Sequence, residues 1–429
     1  MTFPMIRLKR VCRLQGGLTV DASRDVTGDV ATRPYLRVAN VQAGRLELDS
    51  VTEISVPRRM AEASALQFGD VLMTEGGDLD KLGRGTMWRE EISDCLHQNH
   101  VFALRPHRNA LDPRFLAYVT QASPSRHYFE STGTRTTNLA STSSSKILDL
   151  PIPYPPLHEQ RRIADFLDAE TLHIDKLVAT KRRASLLIDE RRNSLASHLC
   201  LRGLNPCEKM RDSDIGPLGQ IPSSWRVARN KSFLAEVADL SENGKEELLS
   251  VSHLTGVTPR SEKTVYMFMA DSLTGYKICR KGDLVINTLW AWMGALGVSK
   301  YSGIVSPAYG VYRFTSDETV PGYFDHLYRT PEYVCEMTRH SKGVWTSRLR
   351  LYPESFLALK APIPSRQEQE RIVKAIAKET EPAVRLQGAI QQSIALIADR
   401  RQALITAAVT GQIDVSTASG RGVTEGTSS

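Results

Sequence analysis

The chain has 429 residues, a formal charge of +7 and a pI near 9.0. That length exceeds what one hydrophobic core serves, so two or more domains are expected. No stretch approaches the roughly 18 uncharged apolar residues of a membrane span, the N-terminus MTFPMIRLKR lacks the apolar core of a signal peptide, and six scattered cysteines without a CxxC pair read as reduced cytoplasmic thiols.

Residues 1–152 read as a mixed α and β domain. Apolar runs at 71–73 (VLM) and 101–104 (VFAL) read as strands, the first introduced by the turn pair Gly69-Asp70, and 112–122 reads as a helix. The stretch GGDLDKLGRG (76–85) is Gly-rich and basic but has neither GxGxxG nor Walker spacing. Two readings stand for it: a loop entering a DNA groove, with Lys81 and Arg84 meeting phosphates or base edges, or a plain surface loop. CLHQNH (95–100) gathers Cys95, His97 and His100, short of the ligand set zinc takes. It runs straight into VFAL, so it reads as a strand entering a core, and no metal site is expected.

Residues 153–204 open on PPLHEQRRIADFL, with prolines suited to a helix start. Ile163, Leu167, Ile174, Leu177, Ala184, Ile188 and Leu195 fall on alternating three- and four-residue steps, the seam of a coiled coil. Residues 205–222 are polar and rich in Pro and Gly, the composition of a linker. Residues 223–361 form a second mixed domain, with strands at 284–286, after Gly282-Asp283, and at 309–314, and a helix over 321–338.

Residues 362–414 repeat the first cassette. Glu159 to Leu199 aligns without gaps on Glu368 to Ala408, and twelve of the 41 positions are identical, which marks an internal duplication. The second seam is Ile372, Ile376, Ala383, Leu386, Ile390, Ile397 and Leu404. Pro382 lies inside it and predicts a break or kink near Glu381. The matched pairs Glu170/Glu379 and Arg191/Arg400 predict ion pairs Glu170–Arg400 and Arg191–Glu379 if the two helices run antiparallel. Residues 415–429 are Ser-, Thr- and Gly-rich and read as a disordered tail. The fold class is therefore α+β, a pseudo-two-fold repeat of two globular domains separated by two long antiparallel helices forming a coiled coil.

No catalytic constellation emerges. The sequence holds no GxxxxGK[ST], no GxSxG, no [DNS]PP[YFW] tetrapeptide and no Gly-rich turn of the nucleotide-binding kind. No residue is assigned a catalytic role.

The pieces PPLHEQRRIADFLD, ERRNSLASH, RGLNP, IPSSWRV, PIPSRQEQERI and ADRRQALITAAVTGQIDV closely resemble the DNA-specificity subunit of Type I restriction–modification systems, over nearly the whole chain. GDVLMTEGGDLDKLGRGTMW with HQNHVF is similar to one common type of target recognition domain. The resemblance implies a non-catalytic subunit in which each variable domain reads one half of a bipartite, asymmetric sequence in double-stranded DNA. The paired helices would then set the spacing between half-sites. It implies two methyltransferase subunits and two restriction translocase–nuclease subunits as partners. S-adenosylmethionine, ATP and magnesium would sit on those partners, with no cofactor on this chain and no membrane contact. Candidate DNA-contacting residues in the first domain are Glu75, Lys81, Arg84, Arg135, Thr136, Thr137 and Asn138. In the second they are Asn287, Thr288, Trp290, Trp292, Lys342, Trp345, Thr346, Ser347, Arg348 and Arg350; Arg and Lys suit guanine, and Asn suits adenine. Alternatives are a specificity subunit for a fused methyltransferase–nuclease, a stand-alone DNA-modifying enzyme, and a coiled-coil scaffold that binds no DNA.

Overall fold

The computed structural model describes residues 3–19, 28–77, 82–83, 85–135, 140–262, 272–344 and 349–418. They fall into two compact units, Met1–Lys181 with Gln391–Ser429, and Arg182–Ile390.

In the first unit the predicted strands form and are central. Val71–Thr74 and Val101–Pro106 pair antiparallel inside a four-stranded sheet ordered Cys12–Gly16, Val101–Pro106, Val71–Thr74, Gly85–Met87. The strand Val71–Thr74 is buried throughout, which is why it reads as a continuous apolar run rather than an alternating one. The turn ahead of it is specific. Gly69 has φ +88°, a conformation a side chain resists, and Asp70 behind it is buried. The Asp70 carboxylate accepts the Gln67 N–H (2.9 Å) and two N–H groups of Arg105, both at 2.7 Å. The helix Pro113–Gln121 starts where expected: the Asp112 carboxylate accepts from the Arg114 and Phe115 backbone, and Pro113 sits at the first helical position.

The second unit repeats this plan. Its sheet is ordered Leu234–Glu236, Tyr309–Phe314, Leu284–Asn287, Leu296–Val298. Gly282 has φ +94°, Asp283 is buried, and its carboxylate accepts the Arg280 N–H at 2.9 Å and two N–H groups of Arg313 at 2.9 and 2.8 Å. The predicted helix over 321–338 is two helices, Pro321–Tyr328 and Pro331–Arg339. Thr330 is extended because a residue before proline avoids the helical region, and its hydroxyl caps the second helix by accepting from Tyr333 N. The segment with linker composition is also ordered. Met210–Asp212 pairs with Gln220–Pro222 in a hairpin, and Ile215, Leu218 and Ile221 are buried in the core of the unit.

Both units use the same joint between domain and helix. The long helices run Leu157–Arg202 and Arg366–Val409. At the start of the first, Gln160 is fully buried; its Oε1 accepts the Asp112 N–H (2.9 Å) and its Nε2 donates to the Ala110 and Pro155 carbonyls (3.1 and 2.9 Å). At the start of the second, Gln369 is equally buried; its Oε1 accepts the Val320 N–H (2.8 Å) and its Nε2 donates to the Glu318 and Pro364 carbonyls (3.0 and 2.9 Å). Each amide thus ties a helix start to the entry of the domain helix beside it.

The seam residues divide by depth. Ile163 and Leu167 lie with Ile405, Ala408 and Val409 in the core of the first unit, and Ile372 and Ile376 lie with Cys200 and Leu201 in the core of the second. Ile174 is buried, while Ile188, Leu195, Ile390, Ile397 and Leu404 are half-buried. Leu177 and Leu386 hold heptad positions but are 40% and 53% exposed, because a pair of helices covers only part of each other's surface. The helices run antiparallel within each unit: Asp175 pairs with Arg401 at 3.0 Å in the first, and the Gln387 amide donates to the Ser185 carbonyl at 3.2 Å in the second. Among the described residues, no ion pair joins Glu170 to Arg400 or Arg191 to Glu379; the ion pair between the long helices in the first unit is Asp175 with Arg401.

Pro382 does not break its helix. The helix Arg366–Val409 runs through it, and a cavity of about 220 Å³ lies beside it, lined by Pro382, Ala383 and Leu386 against Ile188 and Leu195. The expected tail also starts as structure: Val415–Ala418 is a short helix and Val415 is buried, while 419–429 lie outside the described residues.

This packing sets the outcome of two measurements. Gln160→Ala and Gln369→Ala each strand buried backbone partners and cost about 3 kcal/mol, read as a lower urea midpoint for the unit concerned. Cys12, Cys95, Cys200 and Cys279 are buried and Cys207 and Cys335 exposed. Burial pushes the Cys12 and Cys95 thiols up to about 12 and Cys279 to about 11, and raises Cys200 further, so these four stay protonated and unreactive at neutral pH. Mass spectrometry after iodoacetamide treatment of the folded chain will find label on Cys207 and Cys335 alone.

Candidate nucleic-acid interface

The equivalent strands Val71–Thr74 and Leu284–Asn287 end beside the segments singled out in the sequence. In the first unit the chain leaves Thr74 through Glu75 into Gly76–Gly77. That pair joins a three-stranded sheet ordered Thr134–Arg135, Ala140–Ser141, Gly76–Gly77. The ladder therefore brings the Gly-rich segment and the Arg135 segment, 58 residues apart, onto one small sheet. Glu75 is pinned from both sides: its N–H donates to the His100 carbonyl and its carbonyl accepts from Thr142 N, both at 2.8 Å. Its carboxylate accepts from His100 Nδ1 at 2.6 Å. Lys81, Arg84, Thr136, Thr137 and Asn138 lie outside the described residues.

The CLHQNH histidines are used singly. His97 is buried and its Nδ1 donates to the Val101 carbonyl at 2.6 Å; burial holds its pKa below the usual histidine range, so it is neutral. His100 is taken by Glu75. Among the described residues, no three metal-capable side chains come together.

In the second unit, Asn287 and Thr288 lie buried at the end of the central strand. The Asn287 amide donates to the Tyr309 hydroxyl (3.3 Å) and Thr288 Oγ1 donates to the Ala308 carbonyl (2.7 Å), so they close the strand end. The following turn exposes Trp290, half of whose surface meets solvent. Trp290 stacks on Trp292 with ring centroids 6.3 Å apart and planes 17° apart, and Trp292 Nε1 donates to the Leu289 carbonyl. Lys342 and Arg350 close a hairpin through two backbone hydrogen bonds of 2.9 Å, and their cationic ends lie 5.9 and 5.4 Å from the Tyr352 ring centroid. Leu351 N donates to the Thr288 carbonyl (3.0 Å), which fastens this hairpin to the tryptophan turn. Trp345, Thr346, Ser347 and Arg348 lie outside the described residues.

Sequence reasoning missed Tyr352 and the partnership of His100 with Glu75. An aromatic two residues beyond a basic hairpin is the only signal for the first, and nothing local signals the second. It also missed a polar cavity of about 410 Å³ in the first unit, beside Arg114, Tyr118, Asp168, Asp175 and Arg401. The carboxylates there are already engaged: Asp168 by Arg114 (3.0 Å) and Tyr118 (2.7 Å), Asp175 by Arg401 (3.0 Å).

Residues 3–183 match the family described as the Type I restriction modification DNA specificity domain. The chain is similar to the putative type I restriction enzyme MjaX specificity subunit of Methanocaldococcus jannaschii, 22% identical over 215 residues, which cover 50% of this chain and 48% of the relative. It is also similar to the type I restriction enzyme MjaVIII specificity subunit of the same organism, 21% identical over 281 residues, covering 62% and 63%. The chain thus matches about half to two thirds of the length of these relatives. Its fold is similar to that of a chain solved in work on complex assembly and conformational transition of the type I R-M system, with a TM-score of 0.68 at 17% identity over 96% of this chain and 98% of that one.

If the Tyr352 hairpin faces nucleic acid, Lys342→Ala and Arg350→Ala will each weaken duplex binding across all sequences. Each will also lower the slope of log affinity against log salt by about 1, measured by titration at several salt concentrations.

Proposed function

We propose that this chain, a member of the Type I restriction–modification DNA specificity family, directs modification by reading a bipartite, asymmetric sequence in double-stranded DNA, one half-site per unit. The observation that carries this reading is like stems bearing unlike loops. Both units repeat the sheet order, the Gly-Asp turn with its paired arginine, and the buried glutamine joint. Yet the segment after the central strand is Glu75-Gly76-Gly77 in one and Thr288-Leu289-Trp290 in the other. A duplicated frame with identical loops would suit a symmetric target; unlike loops suit an asymmetric one.

In this reading residues 1–152 and 223–361 are the target recognition domains, and 153–204 and 362–414 supply the spacer helices. The residues that meet DNA in this reading are Glu75, Lys81, Arg84, Arg135, Thr136, Thr137 and Asn138 in the first domain, and Lys342, Thr346, Ser347, Arg348 and Arg350 in the second. A rod of paired helices fixes the distance between half-sites better than a flexible tether, and half-sites read on one face of the duplex recur about every 34 Å. The chain contributes recognition and no chemistry. Two methyltransferase subunits bring S-adenosylmethionine, and two translocase–nuclease subunits bring ATP and magnesium, in the cytoplasm. The charge of +7 suits a polyanionic partner.

Co-expression of the chain with its methyltransferase subunit, followed by genome-wide mapping of adenine methylation, tests the proposal. The expected result is one motif of two unlike half-sites at fixed spacing. An active methyltransferase that leaves no such motif overturns it.

A further inference from the structure

The buried aspartates give an internal ruler for comparing the two units. Seven residues beyond Asp70 is Gly77, which lies flat in a strand pair with Ala140; seven beyond Asp283 is Trp290, which projects. The backbone under Trp290 is fixed: its N–H donates to Asn287 O (3.0 Å), and its carbonyl accepts from Met293 N (3.0 Å) and Ala295 N (3.2 Å). Only the indole is free, and Trp292 backs one of its faces. Leu289 beside it is also exposed, so the tip offers mainly apolar surface and π-faces, with the indole N–H as its one hydrogen-bonding group. Cations stand on the hairpin fastened to the same turn, at Lys342 and Arg350.

We propose that Trp290 is a base-stacking wedge for the second half-site: its indole, braced by Trp292, enters a deformable base step while Lys342 and Arg350 hold the flanking phosphates. This rests on the DNA-reading function proposed above. A rigid apolar side chain on a fixed turn can pry adjacent stacked bases apart, and pyrimidine–purine steps yield to it most readily. At the matching position the first unit carries Gly77, which has no side chain to insert. The second half-site is therefore selected to some degree by how easily one step unstacks.

The test uses the full chain assembled with its methyltransferase subunits and duplexes carrying the methylation-defined motif. 2-Aminopurine replaces one base at a time through each half-site, leaving out the methylated adenines, which a methyltransferase flips out of the stack itself. Binding of the native complex should raise 2-aminopurine fluorescence at one step of the second half-site. Trp290→Ala should abolish that signal and weaken binding about 5- to 150-fold with an unchanged salt slope, since no phosphate contact is lost. Trp290→Phe should restore most of both. The inference is overturned if Trp290→Ala keeps the fluorescence rise, or if its affinity and motif match the native complex. Failure of the native complex to bind the motif duplex would instead bring down the broader reading.

Discussion

Two buried amides hold the architecture together. Gln160 and Gln369 each spend one oxygen and both amide hydrogens on backbone groups that no regular element satisfies. In water those groups would bond solvent; in the core, leaving one bare costs more than a made bond returns. The amide therefore fixes three strands of chain at one point: the proline turn before the long helix, the loop before the domain helix, and that helix's first turn. Direction and register of each long helix relative to its own domain follow from this joint. Glutamine suits it because it carries an acceptor and two donors without charge.

A second constraint frees the loops to differ. The Asp70–Arg105 and Asp283–Arg313 pairs are buried on the carboxylate side and bidentate, a geometry that arginine satisfies and lysine does not. Removing either partner would strand a charge in the sheet, so the strand that carries the loop is locked from below. A locked stem lets the loop above it change composition without disturbing the core. That is how one frame can present glycines and a carboxylate in one unit and stacked tryptophans in the other.

Much of this was legible in the chain. The duplication is visible because the joint needs the same residues twice: Glu-Gln, then Arg-Ile, at identical offsets. The central strands are visible because full burial makes them uninterrupted apolar runs. What hid was long-range or rested on a single side chain. The Gly-Asp pairs read as generic turns, since the arginine each needs stands 35 residues away in one unit and 30 in the other. Residues 205–222 read as a linker because a short hairpin shares the composition of a flexible tether, and only Ile215, Leu218 and Ile221 betray a core. Pro382 read as a break because local rules weigh one lost bond and one clash, not the long run of helix on either side of it.

The two units are not equal with respect to synthesis. The second is one continuous stretch, Arg182–Ile390, whereas the first needs Gln391 onward as well as Met1–Lys181. Its core includes Ile405, Ala408, Val409 and Val415 packed with residues from the opening third of the chain. As the polypeptide leaves the ribosome, the first domain must wait with an open apolar face while the second is made and closes. The domain translated first is thus the one completed last, and its contacts of long sequence separation make that closure the slow, exposed step of maturation.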